Sequence, residues 1–293
     1  MNGPNFFILG APKCGTTALA SWLGEHPNVY MSPIKEPHYY STDISNQQAR
    51  TREEYGRLFD GVSAEHQAIG EASVWYLYSH VAVANILRDV PDAKFIVCLR
   101  NPVEMAFSLH GQQLMAGNEN IKDFRRAWEA QEERARTKRA PAFCEDYKLL
   151  LYDQACHLGG QMQRLFTQVA HDRVETIFFD DFKSDAAGCY RKVLRFLQVE
   201  DDGRTTFPVV NAASERRSLV LRRTMKAVNR FKKKYGLPAL GTGLMPVLNK
   251  WNRRSGRRAR MDENMQQMLK EYFAEDVRQL EAVTGRDLGG WLE

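Results

Sequence analysis

An apolar run near the start of the chain leads into a short loop that is suited to binding an anion. Residues 6–10 are apolar, and Lys13 and a Gly-Thr-Thr sequence follow. Backbone N–H groups at the start of a helix attract anions, and glycine lets the chain approach them closely. Lysine adds positive charge and threonine adds hydroxyl donors. The predicted phosphate ligands are Lys13, Cys14, Gly15, Thr16 and Thr17.

The spacing of this loop differs from that of a Walker A loop, which ends in Gly-Lys-Ser/Thr. Here Lys13 precedes Gly15 by two residues, and no further lysine follows in the loop. The spacing therefore disfavours a small-metabolite kinase that uses ATP and Mg²⁺, which remains an alternative. Cys14 resembles a phosphatase nucleophile, but such a loop needs an arginine where this chain has Ala20. We expect Cys14 to contribute its N–H group rather than its sulfur.

A second group of phosphate ligands is predicted after the apolar run at 94–99. Arg100 ends this run, and Pro102 suits the first turn of a helix. Ser108 lies about two turns along that helix and is expected to face the end of the strand. A planar guanidinium and a hydroxyl that point to one place form a good phosphate clamp. Arg100 and Ser108 are therefore predicted to hold a second phosphate.

Two candidate bases lie between these groups, in the sequence Ser-Pro-Ile-Lys-Glu-Pro-His-Tyr-Tyr-Ser of residues 32–41. Transfer of a group to an alcohol or an amine needs a base near the acceptor and positive charge near the leaving phosphate. Glu36 and His38 are the available bases, and Lys13 is the available charge. The residues alone leave open which of the two acts as the base.

These motifs together resemble those of sulfotransferases that use 3'-phosphoadenosine 5'-phosphosulfate (PAPS). The Pro-Lys-x-Gly-Thr-Thr sequence resembles their 5'-phosphosulfate loop. Arg-Asn-Pro-x-Glu-x-Ala-x-Ser, which contains Arg100 and Ser108, resembles their 3'-phosphate motif. The segment with Glu36 and His38 resembles the Glu-x-His-Phe-Phe stretch of heparan-type members, in which the glutamate is the catalytic base.

The resemblance implies a mechanism as well as a donor. Glu36 would take the acceptor's proton during in-line attack on sulfur, and His38 would support it, although some relatives use histidine as the base. Lys13 would stabilise the leaving phosphate, so that no metal is needed. The product would be 3'-phosphoadenosine 5'-phosphate (PAP). Family members also return a basic loop over the nucleotide, which implies that Arg216 or Arg217 contacts it.

One segment departs from the heparan-type pattern. Residues 70–76 resemble a Gly-Glu-Lys-Ser/Thr-x-x-Tyr sequence of the family, but Ala72 stands where heparan-type members carry lysine. Heparan specificity is therefore not implied. Lys35 is a candidate for supplying the missing charge. The acceptor stays open among small molecules, lipids and carbohydrates.

The elements that position these residues follow from the hydrophobic pattern. Strands are predicted over 6–10, 28–31, 67–70, 94–99 and 174–179. Helices are predicted over 16–25, 80–89, 102–117, 122–138, 145–171, 184–198 and 262–283, the last with Asp262 as its N-cap. This alternation predicts an α/β fold of three layers with a central parallel sheet of about five strands, P-loop-like by the resemblance. Ligands of such sheets bind beyond the carboxyl ends of the strands.

Charge is distributed unevenly along the 293 residues, whose net charge is +5. From Arg216 to Arg260 there are fifteen Lys and Arg and no Asp or Glu, so the rest of the chain is net negative. This segregation favours an anionic substrate or a membrane surface as a partner of 216–260, with an ordinary solvated face as the alternative. Nucleic acid is not expected, because no recognised binding motif accompanies the charge.

Composition bears on the location and on the organisation of the chain. No apolar stretch reaches the roughly 18 residues of a membrane span, and the five cysteines lack metal or disulfide spacing. We therefore expect a cytoplasmic protein with free thiols. One domain over 1–293 is predicted, with an irregular basic segment at 211–261. A nucleotide-binding or membrane-associated protein without catalysis is the remaining alternative, and the oligomeric state is open.

Overall fold

The computed structural model describes residues 3–208, 214–216, 253–255 and 261–293. By its internal contacts the chain divides into two compact units. The first unit comprises Met1–Met105, Gln154–Val210 and Gln267–Glu293, and the second comprises Ala106–Asp153 and Asn211–Gln266. The single domain over 1–293 stays a prediction, and most of the segment 211–261 lies outside the described residues.

A parallel sheet of five strands forms the centre of the first unit. Its strands are β1 (Phe6–Gly10), β2 (Val29–Met31), β3 (Ala68–Ala72), β4 (Lys94–Leu99) and β5 (Val174–Phe178). They lie in the order β2-β3-β1-β4-β5, and every neighbouring pair is parallel. The predicted strands agree with the observed ones to within two residues at each end, so the parallel sheet expected from the sequence is confirmed.

Helices follow most of the strands. In chain order they are α1 (Thr16–Leu23), α2 (Arg52–Gly56), α3 (Ala82–Asp89), α4 (Pro102–Ala116), α5 (Phe124–Thr137), α6 (Tyr152–Cys156), α7 (Leu158–Phe166), α8 (Phe179–Ser184), α9 (Ala186–Leu197) and α10 (Glu263–Thr284). Short 3-10 helices cover Arg57–Phe59, Tyr147–Leu150, His171–Arg173 and Gly289–Trp291. In the second unit, β6 (Ser214–Arg216) pairs antiparallel with β7 (Arg253–Ser255).

The core lies on both sides of the central sheet. All residues of β1 and β3 are buried, and in β4 only Lys94 is partly exposed. Because successive side chains of a strand point to opposite faces, this burial shows that both faces of the sheet are covered. The predicted α/β class with layers on each face of the sheet is confirmed.

One predicted helix is broken in the structure. Residues 145–171 form the 3-10 helix Tyr147–Leu150, then α6 and α7, rather than a continuous helix. At the start of α7 the Asp276 carboxylate accepts hydrogen bonds from the N–H groups of Gly159 and Gly160, at 2.9 and 3.0 Å. A carboxylate that satisfies these N–H groups lets a new helix begin there.

Helices α2 and α8 are too short to give a periodic signal, and the sequence did not predict them. For α2 a different signal is present. The Thr51 hydroxyl accepts a hydrogen bond from the Glu54 N–H group at 3.1 Å, and the Glu54 carboxylate accepts one from the Thr51 N–H group at 3.4 Å. This reciprocal pair is a capping box, and its Thr-x-x-Glu spacing is visible in the sequence.

The second unit contains a buried ion pair. The Glu119 carboxylate accepts hydrogen bonds from the Arg134 guanidinium at 2.8 and 2.9 Å and from the Tyr152 hydroxyl at 2.8 Å. These contacts join the segment after α4 to α5 and to the start of α6. In the same unit Asp262 accepts a hydrogen bond from the Met265 N–H group at 2.8 Å, which confirms it as the N-cap of α10.

Gly70 of β3 lies against the Phe6 ring of β1, its partner in register. A Cβ atom on Gly70 would lie 2.1 Å from Cζ of the Phe6 ring. We expect Gly70→Ala to lower the free energy of unfolding by about 3 kcal/mol, because the buried ring has no space to yield. Denaturant unfolding measures this change.

Gly56→Ala is the matched control, because a Cβ atom there meets nothing within 4 Å. Gly56 lies in α2, where alanine is favoured, so we expect unchanged or slightly higher stability. Equal stability of the two variants would contradict the packing argument.

Candidate active site

The loop after β1 has the features predicted for an anion site. Its residues Lys13 and Gly15 have φ values of 69° and 91°, in the left-handed region that glycine adopts most easily. Helix α1 begins at Thr16, directly after Gly15. Among the described residues no side chain caps this helix start, and no acidic residue lies in its first turn. The first turn of α1 therefore contains no negative side chain that would offset the positive end of the helix dipole.

Helix α8 supports the loop from one side. A Cβ atom on Gly15 would lie 3.3 Å from the Phe179 ring and 3.4 Å from the Phe182 ring. The Phe182 ring also stacks on Trp22 of α1, with centroids 4.8 Å apart. Glycine at this position thus meets both the dihedral requirement and the close approach of two aromatic rings.

Arg100 lies against the same loop. Its Nη1 donates to the Lys13 carbonyl at 3.3 Å, and its guanidinium lies 4.6 Å from the centre of the Phe179 ring. Its Nε donates to Glu104 Oε2 at 3.0 Å, and Nη2 pairs with the same oxygen. Arg100, which is predicted to hold the second phosphate, therefore contacts the loop after β1. Its guanidinium is buried and already pairs with Glu104.

Three other predicted ligands are placed less fully. Ser108 lies in α4, and the helix start predicted at Pro102 is confirmed. The backbone of Arg216 ends β6. Arg217 lies outside the described residues, as does most of 216–260. The predicted contacts of these residues with a nucleotide, an anionic substrate or a membrane stay predictions.

The predicted bases lie beside the end of β3. The Glu36 N–H group donates to the Ala72 carbonyl at 2.9 Å, and the His38 N–H group donates to the Ser73 hydroxyl at 3.0 Å. Residues 73 and 77 in turn donate their N–H groups to the Ile8 and Leu9 carbonyls of β1. Residues 32–41, which we call the base segment, are thus held by the chain after β3. They lie at the same end of the sheet as the loop after β1.

Glu36 and His38 differ in exposure. The Glu36 side chain is 28% exposed, and that of His38 is 4% exposed. His38 Nε2 lies 3.6 Å from Glu36 Oε2, and Lys35 Nζ pairs with Glu36 Oε1. The Glu36 carboxylate is therefore partly open to solvent, whereas the His38 ring is buried.

The neighbours of Glu36 control its charge. Burial alone would raise the pKa of the Glu36 carboxyl, but the adjacent His38 ring and the charge of Lys35 outweigh burial and lower the pKa to about 2. Glu36 is therefore an ionised carboxylate at neutral pH. The sequence identified Lys35 only as a candidate charge, and the structure shows that its ammonium group pairs with the predicted base.

Cys14 is a poor nucleophile in this setting. Burial raises the pKa of its thiol to about 12, although the charges of Arg100 and Lys13 oppose the shift. Its sulfur lies 3.4 Å from the Pro12 carbonyl oxygen and 3.8 Å from Met105 Sδ. The buried sulfur therefore packs in the interior, and the contribution of the Cys14 N–H group to phosphate binding stays a prediction.

The adjacent carboxylates Asp180 and Asp181 do not cap the helix α9 that follows them in the chain. They lie in the first turn of α8 itself. The cap of α9 is Asp185, whose carboxylate accepts a hydrogen bond from the Gly188 N–H group at 2.7 Å. Asp180 instead accepts a hydrogen bond from the Trp291 ring, and Asp181 pairs with Arg286. No group of three potential metal ligands occurs in the part of the chain that the structure describes.

The pairing of Lys35 with Glu36 gives a prediction about charge. Lys35→Met should raise the pKa of Glu36 from about 2 toward the ordinary value near 4.3, because a positive charge that favours the carboxylate is lost. An NMR titration of the side-chain carboxyl carbon measures this pKa. Lys35→Arg keeps the charge and should keep the pKa low. An unchanged pKa in Lys35→Met would assign the whole effect to His38.

Comparisons with known proteins agree with this geometry. The sulfotransferase domain family model matches residues 3–211. Membrane-associated sulfotransferase kil1 of Dictyostelium discoideum is 34% identical over 107 residues, which cover 36% of this chain and 22% of that protein. Human carbohydrate sulfotransferase 15 is 32% identical over 163 residues, and the match covers 41% of this chain and 29% of that protein. These matches span less than a third of the length of either relative.

A solved structure resembles the whole chain. The crystal structure of a sulfotransferase from Alicyclobacillus acidocaldarius matches with a TM-score of 0.73 and 27% identity, and the match covers 100% of both chains. The family model covers well over half of the sequence, including the loop after β1, the base segment and Arg100. The chain therefore belongs to the sulfotransferase domain family.

Proposed function

We propose that the protein is a PAPS-dependent sulfotransferase that transfers a sulfuryl group to a hydroxyl or amine acceptor. The observation that carries this proposal is the position of two groups at one end of the sheet. The loop after β1 presents a helix start and Lys13, and the chain after β3 holds Glu36 beside it. An anion-binding loop and a carboxylate base are the two parts that transfer from a phosphosulfate needs.

The donor set of the loop fits a phosphosulfate. The N–H groups at the start of α1, the Lys13 ammonium group and the hydroxyls of Thr16 and Thr17 are all donors or cations. When bound, PAPS supplies a sulfuryl group on a phosphate that can leave. Lys13 and the helix start offset the negative charge that develops on that phosphate.

Arg100 and Ser108 are proposed to hold the 3'-phosphate, with Arg216 and Arg217 over the nucleotide. The Arg100 guanidinium already pairs with Glu104, whose side chain is 51% exposed. A phosphate must therefore compete with this carboxylate for part of the guanidinium. A planar guanidinium can serve both partners, because its N–H groups point in several directions.

Glu36 is the proposed general base, and His38 is the supporting residue. Glu36 is the more exposed of the two, and its low pKa keeps it able to accept a proton at neutral pH. The same low pKa makes it a weak base while Lys35 is paired with it. The mechanism therefore requires Lys35 to turn away from the carboxylate when the acceptor is bound.

The acceptor class is proposed to be a small molecule, a lipid or a carbohydrate. A relative whose name specifies a carbohydrate sulfotransferase supports the last of these. We keep a cytoplasmic location and an anionic partner for 216–260 as proposals. Of the helices that the structure describes, none combines the length and the apolarity needed to cross a bilayer. The kinase alternative receives no support from the family match.

Calorimetry with PAP and AMP tests the donor site. PAP should bind at least about 10-fold more tightly than AMP, because a charge-assisted clamp on the 3'-phosphate contributes more than about 1.4 kcal/mol. Ser108→Ala should reduce this difference and leave the AMP affinity unchanged. Equal binding of PAP and AMP would overturn the donor assignment, and preferential binding of ATP with Mg²⁺ would favour a kinase.

Replacing the base tests the mechanism. Glu36→Gln should lower kcat by about 100-fold or more, because the amide cannot take the acceptor's proton, while the affinity for PAP stays the same. PAP release from PAPS, assayed with a panel of carbohydrate, phenolic and lipid alcohols, measures the rate. Glu53→Gln, at an exposed carboxylate paired with Arg57, is the matched control and should keep full activity. Unchanged turnover in Glu36→Gln with a large loss in His38→Asn would transfer the role to His38.

A further inference from the structure

A fully buried carboxyl group lies in β3, at Glu71. Its exposure is 0%, and burial raises its pKa to about 7 against the opposing effect of the hydrogen bonds that it accepts. Carboxyl groups are rarely buried to this degree, because removing them from water has a large cost in free energy. The contacts of the Glu71 carboxyl group indicate its structural role.

Glu71 Oε2 accepts hydrogen bonds from two tyrosine hydroxyls. Tyr55 of α2 and Tyr76 of the chain after β3 each donate at 3.1 Å. The Tyr76 hydroxyl also accepts the N–H group of Tyr40, at 3.1 Å. Glu71 is thereby connected through one side chain to the backbone of the base segment.

The same two tyrosines contact the base segment with their rings. The Tyr55 ring stacks on Tyr39, with centroids 4.4 Å apart and an angle of 13° between the planes. The Tyr76 ring meets the edge of His38 at 6.2 Å. Residues 38, 39 and 40 therefore each rest on a tyrosine whose hydroxyl is fixed by Glu71.

The base segment needs such support because of its backbone conformation. Glu36 and His38 have φ values of 64° and 51°. The left-handed region costs a non-glycine residue roughly 1–2 kcal/mol, so it persists only where the surroundings hold it. The contacts that hold it include the Ala72 carbonyl, the Ser73 hydroxyl and the Tyr76 hydroxyl.

We propose that Glu71 is a positioning residue of the active site. Its carboxyl group fixes the hydroxyls of Tyr76 and Tyr55, and these tyrosines hold residues 38–40 so that Glu36 keeps its place at the end of the sheet. The proposal rests on the proposed function, in which Glu36 is the base. Glu71 acts only through its neighbours and contacts neither donor nor acceptor.

Three variants separate this role from simple packing. Glu71→Gln keeps an oxygen that can accept both hydroxyls, whereas Glu71→Met has a similar volume and no strong acceptor. Tyr76→Phe removes only the hydroxyl between Glu71 and Tyr40. Tyr78→Phe is the matched control, because it removes a buried hydroxyl two residues along the same loop that donates to Gln154 instead.

The measurements are kcat for PAP release from PAPS, the affinity for PAP, and hydrogen exchange of residues 36–41. Glu71→Met and Tyr76→Phe should lower kcat about 10-fold or more, with PAP affinity within about 2-fold of the wild type, because the base is displaced and the donor loop is not. Both should speed exchange of the Tyr40 amide. Glu71→Gln should keep kcat within about 3-fold of the wild-type value. Tyr78→Phe should keep the wild-type kcat, PAP affinity and exchange rate of the Tyr40 amide.

Several outcomes would overturn the proposal. One is unchanged exchange at Tyr40 in Tyr76→Phe, a variant that tests the bridge even where Glu71→Met does not fold. Another is an equal loss of kcat in Glu71→Gln and Glu71→Met, and a third is a loss of PAP affinity that parallels the loss of kcat. A wild type that binds PAP without turnover, but whose Tyr40 amide still depends on Tyr76, would refute the proposed function and leave the positioning contact standing.

Discussion

The candidate active site depends on the position of β1, which pairs with β3 on one side and with β4 on the other. Both pairings are parallel, so the three strands end at the same edge of the sheet. The loop with Lys13 follows β1, the chain with Tyr76 follows β3, and Arg100 follows β4. Backbone hydrogen bonds from residues 73 and 77 to β1 then fix the chain after β3 beside that loop. Without this register the groups proposed to bind the donor and to accept a proton, which are far apart in the sequence, would also be far apart in space.

Two charged residues of the candidate site, Arg100 and Glu36, each pair with a neighbouring side chain. Arg100 pairs with Glu104, and Lys35 pairs with Glu36. In the proposed function, binding of an anionic donor or of an acceptor would therefore replace one partner of a charged group with another. Since a buried charge without a partner has a high cost in free energy, Glu104 offsets this cost for the buried Arg100 guanidinium when no ligand is present.

Much of the fold followed from the apolar runs, because a strand buried on both faces leaves a distinct run of apolar residues. The candidate site followed from short motifs. Lys13 and Gly15 were identified by their spacing, and Glu36 and His38 by their place after the second predicted strand, while the choice of Glu36 as the base came from the resemblance to sulfotransferases. The hydrophobic periodicity gave no signal for the short helices. Both α2, which provides Tyr55, and α8, which packs Phe179 on Gly15, fall below the length at which periodicity is visible.

The amino-acid sequence by itself determined the α/β class, the order of the strands and of most of the longer helices, and the residue types that are proposed to bind phosphate or accept a proton. These are local properties, since each depends on neighbours within a few positions of the chain. Only the tertiary structure decided which charges pair and which carboxylates are buried. Tyr40 and Tyr76, which are joined by a hydrogen bond, are 36 positions apart, and Arg100 and Lys13 are 87 positions apart. Contacts over such separations arise from the packing of the sheet and the loops at its edge, which no local pattern records.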